Sequence, residues 1–145
     1  MRKQYTIGVD FGTLSARAVL ADLETGEILA DSVSVYANAV LDRQLPETGE
    51  ALPAGWALED PADWEEALYA TISGVIRKSG VKTEKIIGVG VDFTSATVLP
   101  LDQNGRPLCQ DPAFRHEKNA WPKLWKHHGA QKQAAKIRRV LESMD

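Results

Sequence analysis

Asp10 closes an apolar run, Tyr5-Thr6-Ile7-Gly8-Val9, and is followed at once by Gly12, Thr13, Leu14, Ser15 and Arg17. Those residue types at that spacing suit phosphate chemistry. Glycine lets backbone approach a ligand closely, and amides and hydroxyls can face phosphate oxygens. A carboxylate can hold Mg2+ directly or through water, because that ion prefers oxygen ligands and keeps several waters. Donors fixed in advance can then position a transferring phosphoryl group. An aspartate at a strand end can instead cap its own turn. The neighbours of Asp10 make the metal or phosphate role the stronger reading.

Gly8-Val9-Asp10-Phe11 recurs as Gly90-Val91-Asp92-Phe93, and the second copy leads into Thr94-Ser95-Ala96. This link has two hydroxyls, a small side chain and no glycine, a combination suited to a small polar molecule. After each copy the order is strand, acidic turn, strand. The chain therefore reads as two related units in one sheet, each presenting an aspartate at a strand end, where ligands bind in open sheets.

Other chemistries find less support. No Gly-x-x-x-x-Gly-Lys-Ser/Thr segment is present, and Gly88-Val89-Gly90 is followed by Phe93 where a dinucleotide fingerprint needs its third glycine. His127 and His128 are adjacent and read as pointing to different sides of a helix, with no carboxylate or cysteine at ligand spacing. Cys109, the only cysteine, excludes an internal disulfide framework and a multi-cysteine zinc site, and reads as a small packed hydrophobe. Trp121 and Trp125, four residues apart, read as core.

The elements that must position these residues follow from periodicity. Tyr5–Asp10 reads as a buried strand. Ala18–Ala21 and Ile28–Ala30 flank a polar turn holding Gly26, a hairpin whose second arm continues through the alternating Ser32–Tyr36. Residues 38–59, with Pro46, Gly49, Pro53 and Gly55, read as a long surface excursion. Asp60-Pro61 starts a helix as N-cap and first residue; Trp64, Leu68, Ile72, Val75 and Ile76 form one stripe, and Ser79-Gly80 ends it. Ile86–Asp92 reads as a second buried strand. Asn104-Gly105 between Thr97–Leu101 and Pro107–Cys109 marks a further hairpin, and the chain from about Asn119 reads as helical with a break near Gly129.

The 145 residues are 43% hydrophobic and 26% charged, the balance of an ordinary globular domain. That length suits one core and not two substantial domains with a cleft between them. No apolar run nears the ~20 residues that span a bilayer. The N-terminus, Met1-Arg2-Lys3-Gln4-Tyr5, lacks the apolar stretch of a signal peptide, and a reducing, cytoplasmic setting is expected. Residues 1–114 hold 9 basic and 17 acidic groups, and residues 115–145 hold 8 basic and 3 acidic ones with all three histidines. The basic groups fall at helical intervals among Trp121, Leu124, Trp125, Ile137, Val140 and Leu141. They read as the solvated face of an amphipathic helix pair and not as a nucleic-acid surface, since the acidic body would repel a phosphate backbone.

The segment Ile7–Arg17 resembles the first phosphate segment of the FGGY carbohydrate kinases, matching Asp-x-Gly-Thr-x-Ser-x-Arg at every fixed position. Within the family the resemblance is to members that act on L-ribulose. It rests on Asp10–Ser15, Leu45-Pro46, Leu52-Pro53, Trp56-Ala57-Leu58, Val91–Thr97 and Lys123–His128. It implies an α/β, ribonuclease-H-like fold of the actin and hexokinase type, a mixed sheet with flanking helices. It implies ATP-dependent phosphorylation of a ketopentose at its terminal hydroxyl, with ATP and Mg2+ as cofactors and a small sugar as partner. Nucleic acid and membrane are not implied as partners, and homo-oligomerisation is left open. By motif position, Asp10 would organise Mg2+, and Gly12, Thr13, Leu14, Ser15 and Arg17 would lie at the ATP phosphates. Thr94, Ser95 and Ala96 would line the sugar pocket, with Asp92 a weaker candidate. Glycerol kinases carry an arginine–glutamate pair in that last segment, so Thr94-Ser95 argues against glycerol.

Family members take their catalytic base from a later part of the first domain and hold adenosine in a second domain. Residues 1–145 therefore read as the leading part of the first domain, with no catalytic base among them. Two other classes use parts of the same pattern. An actin-like or chaperone-like nucleotide module would need the Asp10–Ser15 link but not Thr94–Ala96. A ribonuclease-H-type nuclease would need Asp10 and Asp92 as metal ligands but not the glycine–threonine link.

Overall fold

The period-two alternation of three segments forms a sheet with one apolar face. In the computed structural model, which describes residues 3–46 and 48–144, these are β1 (Tyr5–Phe11), β2 (Ser15–Asp22) and β3 (Ile28–Val35). Tyr5, Ile7, Val9 and Phe11 of β1 and Ala16, Ala18 and Leu20 of β2 are buried on one side. Helix α1 (Pro61–Ser79) covers them with Ala67 and Val75, joined by the half-buried Trp64, Leu68, Ile72 and Ile76 of its expected stripe. Both ends of α1 are capped as its sequence signals. Asp60 accepts a hydrogen bond from the Ala62 amide, and Gly80, at φ 65°, donates its N–H to the Ile76 carbonyl.

A short turn then leads into β4 (Ile86–Phe93), which pairs parallel to β1. Strand order is β3-β2-β1-β4, antiparallel except for that last pair. The repeated tetrapeptides thus become neighbours in register: Gly8 faces Gly90, Val9 faces Val91, Asp10 faces Asp92 and Phe11 faces Phe93. Two contacts lock this register at the strand ends. The Phe11 and Phe93 rings stack at 4.6 Å and 8°. Thr94 donates both its backbone N–H (2.9 Å) and its hydroxyl (2.8 Å) to the Phe11 carbonyl.

β4 departs from the expectation of a buried strand. It is an outer strand, and Val89, Val91 and Phe93 are all more than half exposed, because α1 packs chiefly on β3 and β2 and less on β1. The echo between the two halves also stops at β4. Residues 97–109 add no strand to the sheet; their hairpin reduces to a single bridge, Leu101 to Pro107, followed by a 3-10 turn at Leu108–Gln110. Its tip is still built as the Asn-Gly signal requires, with Gly105 at φ 78° and the Asp102 carboxylate accepting from the Asn104 and Arg106 amides. The Arg106 amide bond is the main reason the Asp102 pKa lies below the usual carboxylate value.

The chain divides into two compact units, one of Met1–Ala39 and Asp60–Ser95 and the other of Val40–Glu59 and Ala96–Asp145. Each has its own core where composition suggested a single one. In the second unit the cluster is Leu45, Leu52, Leu58, Cys109, Ala120 and Trp121. Residues 38–59 are therefore more than a surface excursion: Leu45, Leu52, Ala57 and Leu58, scattered among prolines and glycines, are buried, and the half-buried Leu41 and Trp56 pack against the cluster. Cys109 packs in this cluster as a small hydrophobe.

The expected helix near Asn119 does not form either. Trp121 is extended (φ −86°, ψ 150°), as a residue preceding proline is biased to be. Lys123 instead bridges to both Leu58 and Val98. Trp121 is buried but Trp125 is 59% exposed, so the two do not share a core. The helix that does form, α2 (Gln131–Glu142), leaves Ile137, Val140 and Leu141 exposed.

Two changes test this packing. Gly to Ala inside a helix ordinarily gains about 1 kcal/mol, but a methyl on Gly74 of α1 would lie 2.8 Å from Ser32 Cβ of β3 and overlap its hydroxyl. Overpacking costs about 1–3 kcal/mol, so Gly74→Ala is expected to lower the urea midpoint and Ser32→Gly to restore it. A raised midpoint for the single variant would refute the contact. Thr94→Val removes the hydroxyl donated to Phe11, and a stability loss of about 1 kcal/mol is expected by the same measurement.

Candidate functional site

The face of the sheet opposite α1 is set by the same alternation that builds the core. It carries Gly8 and Asp10 of β1, Arg17 and Val19 of β2, and Gly90 and Asp92 of β4, which with Val9 and Val91 line an open cavity of about 420 Å³. Asp10 has Arg17 as its antiparallel partner on one side and Asp92 as its parallel partner on the other. All three side chains are exposed. Among the described residues, no hydrogen bond or ion pair ties up the carboxylate of Asp10. The turn-capping role open to it in the sequence is not the one it plays. Asp92 does turn back on itself, its Oδ1 accepting from the Phe93 amide at 2.9 Å.

The glycines keep this face bare. A Cβ on Gly90 would meet nothing within 4 Å, and one on Gly8 would only touch Val19 Cγ2 at 3.6 Å. The chain's own packing does not demand glycine there; the lack of side chains leaves room beside two carboxylates.

The link after β1 is a tight hairpin end. Gly12 donates its N–H to the Ser15 carbonyl at 3.0 Å, and a side chain at Gly12 would press on that same oxygen at 3.3 Å. Gly12 therefore shapes the loop, and its amide is spent inside it. The Leu14 carbonyl is pinned by the Tyr36 amide at 3.0 Å, while the Leu14 side chain is 55% exposed. Thr13 and Ser15 are half-buried. Because Thr94 bonds to Phe11, the link after β4 begins beside the link after β1. The Thr94 hydroxyl proton is thereby committed to the Phe11 carbonyl. Ser95 is exposed, and Ala96 holds a left-handed backbone at φ 59°, uncommon for a residue with a side chain. The structure thus gathers Asp10, Arg17 and Asp92 on one face of the first unit and sets Thr94 at the edge of that group.

In the second unit a cluster stands that residue-by-residue reading of the sequence passed over. His127 Nδ1 accepts from the Ala57 amide at 3.2 Å, and its ring meets Trp56 edge-on at 4.7 Å and 74°. Partial burial, then the Lys123 ammonium, push the His127 pKa below the usual imidazole value. Burial lowers Lys123 as well, whose Nζ donates to the Asn119 and Trp121 carbonyls. Treating residues 119–128 as helix hid this group. The available signal was Pro122, which biases Trp121 out of the helical region.

Among the described residues no helix is long and apolar enough to cross a membrane. The model of the N-terminal domain of the FGGY family of carbohydrate kinases matches residues 5–144. A ribulokinase from Geobacillus thermodenitrificans is 51% identical over 134 residues, covering 92% of this chain and 24% of its own length. A ribulokinase from Shouchella clausii is 45% identical over 140 residues, covering 97% and 25%. The chain thus spans about a quarter of the length of these curated relatives. Among solved structures, xylulose kinase from Rhodospirillum rubrum superposes with a TM-score of 0.69 at 19% identity, over 94% of this chain and 23% of that one. Its likeness shows the fold, which is the ribonuclease-H-like, actin-type α/β fold with a mixed sheet. A domain match over nearly the whole chain, on a sheet that aligns Asp10 with Arg17 and Asp92, places this chain in the FGGY family of carbohydrate kinases.

Proposed function

We propose that this chain is the leading part of the N-terminal domain of an ATP-dependent kinase that phosphorylates the terminal hydroxyl of a ketopentose, L-ribulose giving L-ribulose 5-phosphate. The observation that carries this reading is the alignment of Asp10 and Asp92 on one open, glycine-floored face, beside the tight β1–β2 link. Membership of the family supports the reaction class, and the ribulokinase names of relatives at 45–51% identity support the sugar.

Kinase chemistry is mostly positioning and charge neutralisation around the phosphoryl group. In this proposal Thr13, Leu14, Ser15 and Arg17 attend the ATP phosphates, with Gly12 holding the loop that presents them. Thr94, Ser95 and Ala96 line the sugar pocket, with Asp92 a secondary contact on the sugar side. Mg2+ would be held at Asp10, with Asp92 on the same face. Among the described residues no group of three or more metal-ligating side chains forms, and two carboxylates suit an ion that keeps its waters and shares phosphate oxygens. Bound there, it would neutralise charge on the phosphates. The sugar oxygen bonds to the terminal phosphorus, the bond from that phosphorus to ADP breaks, and the hydroxyl proton passes to a carboxylate. We place that base, the remainder of the first domain and the adenosine-binding domain outside residues 1–145. The setting is the cytoplasm, and both partners are small molecules.

A coupled ADP-release assay with L-ribulose tests the reading. In the full-length protein, Asp10→Ala is expected to lower kcat by about 10²–10³ with an unchanged unfolding midpoint, since Asp10 is exposed and unbonded. Near-normal turnover by that variant would sink the role given to Asp10. Residues 1–145 alone are expected to show no appreciable turnover, and robust activity from them would overturn the placement of the base.

A further inference from the structure

Residues 55–58 and 123–129 of the second unit are laced together edge to edge. The His128 amide donates to the Gly55 carbonyl at 2.8 Å, and the Leu124 amide donates to the Ala57 carbonyl at 3.1 Å. The Ala57 amide completes the lacing by donating to His127 Nδ1. Gly129 leaves room for the imidazole, and Gly55 for the backbone turn beside His128. Gly55 sits at φ 82°, and a side chain on Gly129 would overlap His127 Nε2 and lie 3.1 Å from Trp56 Cε2. Lys123, at the start of the second of these segments, bridges Leu58 on one side and Val98 on the other.

A histidine nitrogen accepts a hydrogen bond only while it carries no proton. The neutral ring here must therefore hold its proton on Nε2. We infer that His127 is a positioning residue: neutral, it clamps Ala57 so that Leu58, Lys123 and Val98 stay in register, two residues beyond Ala96 of the proposed sugar segment. The functional half of this inference rests on the ketopentose kinase reading; the clamp itself does not.

The charged groups acting on the ring are Lys123 and His128, both positive when protonated. A proton on His127 would remove the acceptor for Ala57 and add a third positive charge beside them. Since the folded pKa lies below the unfolded one of about 6.5, the released chain takes up the proton first. The clamp is therefore at full strength above about pH 6.5 and weakens as pH falls through the window beneath it.

The test uses full-length protein with isotope-labelled alanine and histidine. The Ala57 amide and the His127 ring are expected to titrate together below pH 6.5. His127→Asn can still offer an acceptor but cannot titrate, so it should keep the Ala57 amide protected and flatten its pH dependence. His127→Ala should expose that amide to exchange and raise the KM for L-ribulose about fivefold, the loss of roughly one hydrogen bond, with kcat within about twofold. An Ala57 amide indifferent to His127 protonation would overturn the clamp. A KM unchanged in His127→Ala, with wild-type turnover intact, would overturn the positioning role. Coupled titration in a wild-type protein that does not use L-ribulose would leave the clamp standing and strike the sugar assignment instead.

Discussion

The parallel register between β1 and β4 is the constraint on which the candidate site depends. Side chains alternate between the two faces of a strand, so a slip of one residue would carry Asp92 to the α1 side and bring Val91 or Phe93 beside Asp10. Parallel pairs have no short turn to set their register, and here the strands are joined through the whole of α1. The register is held instead at the carboxyl ends of the strands, by the Phe11–Phe93 stack and by the two bonds from Thr94 to the Phe11 carbonyl. The same two bonds bring the link after β4 beside the link after β1. One carbonyl oxygen thus aligns the carboxylates and brings together the two segments assigned to phosphate and to sugar.

A sheet so arranged has two faces with different duties. Large apolar side chains fill the α1 side, where Gly74 lets the helix settle close on Ser32. The opposite side is paved with glycine and edged with Asp10, Arg17 and Asp92. Alternation makes both faces at once: a strand that points Ile7 and Val9 into a core has Gly8 and Asp10 pointing away from it.

The second unit is assembled by different means. Among its described residues it has no extended sheet, and its order comes from isolated bridges, the Leu45–Trp121 cluster and the imidazole of His127 set against Gly129 and bonded to Ala57. Structure of this kind is hard to read from residue types. Leu45, Leu52 and Leu58 fall at no helical or strand period, so residues 38–59 look like surface until residues 96–124 are laid against them. Trp121 and Trp125 look like a helical pair until Pro122 turns the backbone extended.

Some features are local and were legible in the chain itself. The caps of α1, the β2–β3 hairpin, the Asp102–Gly105 turn and the tight β1–β2 link closed by Gly12 and Ser15 each rest on contacts within a few residues. Residue type and spacing determine such contacts. Other features were decided only by tertiary structure: that Asp92 stands beside Asp10, that the Thr94 hydroxyl is spent on Phe11, that β4 is exposed, and that His127 serves Ala57. Each joins groups 70 or more residues apart or depends on what packs above a strand. Spacing along the chain determines which groups a segment can offer; which distant group accepts them is settled by packing.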